Sequence, residues 1–115
     1  MPLIHITTTQ HMSDEDRSAL LTALSTAISE TTGKPEKFVM AIVQSAGMMM
    51  SGTEGGAAFA DVRSIGALGP DENAAISARI CDVLRTGLSI PGERIYLNFS
   101  DVARTDWGWD GRTFG

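Results

Sequence analysis

The second half of the chain repeats the apolar pattern of the first at a constant offset of 56 residues, and this repeat constrains the fold more than any other feature. Ser13 and the acidic run Asp14-Glu15-Asp16 suit the positive end of a helix dipole. Leu20, Leu24, Ala27 and Ile28 then recur on one helical face until Gly33. Pro70-Asp71-Glu72 opens the matching segment, which carries Ile76, Ile80, Val83 and Leu84 and closes near Gly87, ahead of Pro91. Pro35 and Pro91 are equivalent, and an alternating stretch follows each: Val39, Ala41 and Val43 in one half, Ile95, Leu97 and Phe99 in the other. Residues 3–7 and 57–65 are strand-like ahead of the helices, so each half reads strand, helix, strand, with a connection long enough for a parallel crossover. The pattern predicts one α/β (α+β) domain over residues 1–115, built from two pseudo-symmetric βαβ units at approximately 1–56 and 57–115. Their strands form a four-stranded mixed sheet with two helices on one face.

A sheet covered on one face leaves the other bare, and 115 residues supply no third layer. That face is expected to carry apolar side chains, for which identical copies are the economical cover, so a homo-oligomer is expected; the alternative is a half-polar face left in water. Between the halves, residues 48–56 run Met-Met-Met-Ser-Gly-Thr-Glu-Gly-Gly, which reads as a loop or a short bridging strand, its methionines an adaptable packing surface. The formal charge of −5 has the wrong sign for neutralising phosphates, which argues against a nucleic-acid partner. No apolar run approaches the ~20 residues of a membrane helix, and no secretory signal precedes the first strand, so no membrane partner is expected. Cys81 stands alone, which excludes an intrachain disulfide and a cysteine-based zinc site and fits a buried thiol on a helix.

Pro2 is the residue with the most chemical promise. If Met1 is removed, its nitrogen becomes a secondary amine at the head of a buried strand. An α-amine titrates near ~7.7–8.0, and burial lowers that value, which suits a general base at neutral pH. Lys34, one of two lysines, sits beside a helix end, where it suits either the dipole or an anion. Tyr96 and Asn98 share one strand face by period two, as a polar pair at an interface would. Trp107, Trp109 and Phe114 cluster near the C-terminus, where aromatic residues cap a core, a subunit contact or a pocket.

Five segments carry a resemblance to a known family: Met1-Pro2-Leu3, Thr32-Gly33-Lys34-Pro35, Asp61-Val62-Arg63-Ser64-Ile65-Gly66, Arg94-Ile95-Tyr96-Leu97-Asn98-Phe99, and Trp107-Gly108-Trp109 through Thr113-Phe114. In order and spacing the whole chain resembles the macrophage migration inhibitory factor family of the tautomerase superfamily. The resemblance implies a homotrimer whose three sheets form a central barrel ringed by six helices. It implies keto–enol tautomerisation of phenylpyruvate-like aromatic carboxylates, or isomerisation of dopachrome-type compounds, with no metal and no cofactor. By position, Pro2 would be the catalytic base. Lys34 and the Ile65 N–H would hold the substrate carboxylate, Tyr96 and Asn98 would come from the neighbouring subunit, and Trp107, Trp109 and Phe114 would wall the pocket.

The chain also departs from that family. Ala57 and Ala60 stand where some members carry a CxxC pair, so thiol–disulfide exchange is not expected. Trp107 replaces a small aliphatic residue common at the pocket, and Met50-Ser51 replaces a Phe-Gly pair. The alternative function the family implies is a cytokine-like protein with a receptor partner and weak or vestigial catalysis. Localisation is taken as cytoplasmic by default, with non-classical secretion open.

Overall fold

A computed structural model describes all residues, 1–115. Strand β1 covers Pro2–Thr8, helix α1 Asp14–Thr32, β2 Met40–Ser45, β3 Ala58–Ser64, α2 Pro70–Leu88 and β4 Ile95–Asp101. Two very short strands, β5 (Gly108–Trp109) and β6 (Arg112–Thr113), close the chain. The main sheet has the order β2-β1-β3-β4, with β1 parallel to β2, β3 parallel to β4, and the two central strands antiparallel. Each half is thus a parallel crossover through one helix, and the sheet is mixed.

Local chemistry sets the helix limits. Ser13 Oγ accepts the Asp16 N–H at 3.1 Å, and three acidic residues fill the first turn of α1. Gly33 ends it in the left-handed region at φ 71°, its N–H on the Ser29 carbonyl. Helix α2 begins with Pro70 and, unlike α1, has no side-chain N-cap. It runs through Gly87 to Leu88 and stops at Ser89, which adopts the same left-handed turn at φ 57° without being glycine. This is the end near Gly87 that the sequence pattern predicts. Its position follows the Ser89 N–H, which still reaches the Arg85 carbonyl at 3.0 Å.

One face of the sheet and the inner stripes of both helices make the core. Ile4 and Ile6 from β1, Ala60 and Val62 from β3, Leu24 and Ile28 from α1, and Ile76, Ile80 and Leu84 from α2 are fully buried. Each of these Ile, Leu and Val side chains contributes about 1.5–3 kcal/mol by leaving water, and the Ala60 methyl less. Val39, Ala41, Val43, Leu97 and Phe99 pack at the margin of this cluster, on the strand faces the alternation assigned to them. Cys81 on α2 is half-buried rather than buried, and desolvation raises its thiol above the usual range.

The opposite face corrects the expectation of an apolar surface. Rows of neighbours across it mix both kinds of side chain: Met40, Leu3 and Arg63; Ile42, His5, Asp61 and Asn98; Gln44, Thr7, Phe59 and Tyr96. His5 Nε2 is hydrogen-bonded to Gln44 Oε1, and Arg63 pairs with Asp61 at 2.8 Å. Period-two alternation buries only every other residue, and the outward positions carry charge and amide groups in mid-strand. Met40 and Tyr96 are nonetheless 60% and 66% exposed, which leaves large apolar surface without a partner in the single chain.

Residues 48–56 form a loop with one bridge, Met50 to Thr53, around a tight turn at Ser51-Gly52. Arg94 holds it. Its guanidinium donates to the carbonyls of Gly56 (2.8 Å), Met50 (3.1 Å) and Thr53 (3.1 Å) and to Thr53 Oγ1 (3.1 Å).

Candidate active site

Pro2 opens a central strand, a position that tolerates the missing N–H. It is buried on the helix-facing side and lies directly across from Ser64 on β3. The Ile65 N–H donates to the Met1 carbonyl at 3.3 Å, which makes Pro2 and Ser64 a non-hydrogen-bonded pair, the kind whose side chains approach more closely. The amino terminus is held below the ordinary α-amine range, first by burial and second by the positive charge of Lys34.

Lys34 is aimed by the end of α1. The left-handed Gly33 turns the chain, the Ser29 hydroxyl donates to the Lys34 carbonyl at 2.7 Å, and the Lys34 N–H donates to Thr32 Oγ1 at 3.3 Å. All five ion pairs of the protein involve arginine, so the Lys34 ammonium carries no carboxylate partner.

A mostly apolar cleft of about 550 Å³ opens beside Pro2. Trp107, Trp109 and Phe114 line it, and Phe38, Met40 and Val102 complete its apolar wall. The short β5–β6 hairpin sets the aromatic side. The Trp109 and Phe114 rings stack at 5.8 Å with 11° between planes, and the Arg112 guanidinium lies 4.8 Å from the Trp109 ring. The Phe114 N–H donates to the Trp107 carbonyl at 3.2 Å, tying the two ends of the hairpin. Lys37, over the Phe38 ring at 4.9 Å, Arg63 and Asp106 add charge at the rim. The hydrogen bond from Arg63 to Asp61 raises the guanidinium further above its usual value.

Lys34 and Ile65 stand just outside the cleft lining, one acting by charge on the amine and the other by its N–H. Tyr96 and Asn98 lie elsewhere. Tyr96 shares a row with Phe59 and Thr7, whereas Pro2 shares one with Ser64 and Asp101. Five residues at ~3.3 Å along the strand, plus two strand spacings of ~4.8 Å, separate Tyr96 from Pro2. Within one chain neither Tyr96 nor Asn98 reaches the amine. A second hollow of about 740 Å³ at the far end of β1, lined by residues such as His11, Met49 and Glu54, contains none of the site residues named from sequence.

Phe38, Met40, Lys37, Arg63, Val102 and Asp106 were not singled out from sequence. The signal available was positional: residues 37–40 follow Lys34-Pro35 directly, and Arg63 is the strand neighbour of Leu3.

The fold and this cleft, at the head of a strand beginning with proline, define a protein of the tautomerase-superfamily type. Residues 1–115 match the family described as "Macrophage migration inhibitory factor (MIF)", and the chain belongs to that family. It is similar to a macrophage migration inhibitory factor homolog of Trichuris trichiura, 36% identical over 95 residues that cover 82% of this chain and 83% of that one. The macrophage migration inhibitory factor of Xenopus tropicalis is 32% identical over 102 residues, covering 88% of this chain and 89% of its own. Among solved structures, a homologue from Prochlorococcus marinus aligns with a TM-score of 0.93 at 38% identity, covering 98% of this chain and 99% of that chain.

Proposed function

We propose that the protein is a keto–enol tautomerase of phenylpyruvate-like aromatic 2-oxo acids, with Pro2 as catalytic base once Met1 is removed. The observation that carries this reading is the Met1 carbonyl: it is joined to the Pro2 nitrogen and held by the Ile65 N–H, near Lys34 and beside the aromatic cleft. Removing Met1 exchanges an amide nitrogen, which has no basic lone pair, for a secondary amine. It also frees a backbone donor within a few ångströms of that amine.

The chemistry follows from those groups. Burial and the Lys34 charge, which hold the Met1 amine below its ordinary range, would act in the same direction on the Pro2 amine that takes its place, and that direction suits a general base. Pro2 takes the proton from the carbon next to the substrate carbonyl, electron density moves onto the carbonyl oxygen, and the pyrrolidinium returns the proton to oxygen. The reverse sequence yields the ketone. Lys34 and the Ile65 N–H hold the substrate carboxylate by charge-assisted hydrogen bonds, and Trp107, Trp109 and Phe114 pack the ring. Tyr96 and Asn98 serve the site of a neighbouring copy, which fits a homotrimer closing over the exposed sheet face. The family membership supports this assembly and this reaction class.

The test is phenylpyruvate tautomerisation, followed by absorbance, on protein whose N-terminus is defined by intact mass. Met1-free chains turn over, Met1-retaining chains do not, and Pro2→Gly lowers kcat/KM by about a hundredfold or more while leaving assembly unchanged. Equal turnover by Pro2→Gly removes proline from the mechanism.

A further inference from the structure

Ser64 is fully buried, and its hydroxyl has no hydrogen-bond partner. A buried hydroxyl left unpaired is costly, so its surroundings call for an explanation. The internal repeat provides a control. Thr8 ends β1 as Ser64 ends β3, and Thr8 is also fully buried. Yet the Thr8 hydroxyl is satisfied twice, donating to the Ala57 carbonyl at 3.0 Å and accepting the Gln10 N–H at 3.2 Å.

The surrounding bonds repeat as well. The Thr9 N–H donates to the Ala57 carbonyl at 3.2 Å, just as the Ile65 N–H donates to the Met1 carbonyl at 3.3 Å. The Ala46 N–H reaches the Thr8 carbonyl as the Val102 N–H reaches that of Ser64. Ala57 is therefore the counterpart of Met1. The carbonyl of Ala57 receives a backbone N–H, the Thr8 hydroxyl and, at 3.5 Å, the Thr9 hydroxyl, whereas that of Met1 receives the N–H alone. The second partner is diverted too: the Gly66 N–H, counterpart of the Gln10 N–H, goes to Asp101 Oδ1 at 3.0 Å. Ser64 is thus left without its repeat-equivalent bonds at the one strand end that abuts Pro2.

We propose that Ser64 is a substrate-binding residue whose hydroxyl, with the Ile65 N–H, donates to the substrate carboxylate in the seat the Met1 carbonyl now occupies. The inference rests on the reading that Met1 is removed and an acidic substrate enters there. The Thr8 bond shows that one rotamer of a hydroxyl at this register position reaches an oxygen so placed, a rotamer in which the Ser64 hydroxyl does not now stand. Serine suits the task because its hydroxyl, unlike that of β-branched threonine, rotates freely to meet an arriving ligand. Two donors on one carboxylate, reinforced by Lys34, make the seat selective for an anion over an ester or amide.

The experiment measures binding separately from turnover. Met1-free protein is titrated with hydrocinnamate, an unreactive aromatic carboxylate, and with its methyl ester, reading the fluorescence of Trp107 and Trp109. Ser64→Ala weakens hydrocinnamate about tenfold, leaves the ester unchanged, and raises KM for phenylpyruvate with kcat altered less than about twofold. Ser64→Thr restores most of the affinity. Ser64→Cys, which fills the same space with a poor donor, behaves as Ser64→Ala and serves if the alanine variant does not fold. Hydrocinnamate binding unchanged in Ser64→Ala or Ser64→Cys overturns the proposal and leaves the hydroxyl a packing group. Loss of turnover with binding intact in the parent protein instead counts against Pro2 as base and leaves the Ser64 assignment standing.

Discussion

The two halves of the molecule share a backbone frame and divide its uses. Each element from 58 to 94 starts 56 residues after its counterpart: β1 at Pro2 and β3 at Ala58, α1 at Asp14 and α2 at Pro70, and two single 3-10 turns, Glu36–Phe38 and Gly92–Arg94. Gly33 and Ser89 end the two helices with the same left-handed turn. The next residue parts company. Lys34 is a half-buried cation beside the amino terminus, whereas its counterpart Ile90 is fully buried in the core. A frame made twice needs its chemistry only once, and the second copy of each position is free to supply packing. The same division separates Met1 from Ala57 and Ser64 from Thr8.

Exchanging the uses of paired positions breaks the comparison. Ile90→Ala, which empties a core site, lowers stability by about 2–5 kcal/mol in chemical denaturation. A loss below ~0.5 kcal/mol would mean that Ile90 is not held as its burial implies. Lys34→Ile, which makes the first half resemble the second, raises KM for phenylpyruvate about tenfold and leaves stability nearly unchanged.

The same variant has a signature in pH. A lowered amine pKa keeps the base neutral to lower pH, and activity falls as pH drops through that value. The Lys34 charge lowers the Met1 amine and is expected to act likewise on the Pro2 amine of Met1-free protein, so its removal lets that pKa rise and moves the acid limb of kcat/KM to higher pH. A limb that stays in place or moves downward contradicts the electrostatic role. The smallest effect sharpens the helix ends: Ser89→Gly relieves a left-handed serine and stabilises by about 0.5–1 kcal/mol in thermal unfolding. An unchanged midpoint would show that Ser89 adopts this turn without strain.

Much of this frame is legible in the sequence because it is written in local chemistry. The apolar stripes of α1 and α2, the Ser13 cap, the Gly33 stop and the alternating residues after Pro35 and Pro91 need only neighbours a few positions away. The mixed character of the open face is legible in the same alternation, in His5, Asp61 and Arg63, which share that face with Met40, Phe59 and Tyr96. The β5–β6 hairpin has only two residues per strand, too few for any period to register. Its one readable mark is the Asp110-Gly111 turn, both residues at positive φ. For the site, Pro2 and the aromatic wall are recognisable by residue type, whereas Phe38, Met40 and Val102 enter the cleft through packing between distant segments. The orphaned hydroxyl of Ser64 has no sequence signature, since only the contrast with Thr8 in three dimensions reveals it.

The Arg94 clamp has a consequence for the conditions under which the 50–56 segment keeps its shape. Its four acceptors are neutral oxygens, three main-chain carbonyls and one hydroxyl, none of which carries a carboxylate's charge. Acidification that protonates carboxylates dissolves exposed pairs such as Arg17–Asp14, and concentrated salt screens them. Neither takes away a partner of Arg94. The loop joining the two halves is therefore built to hold its form across changes of acidity and ionic strength that loosen the ion pairs on the outer surface.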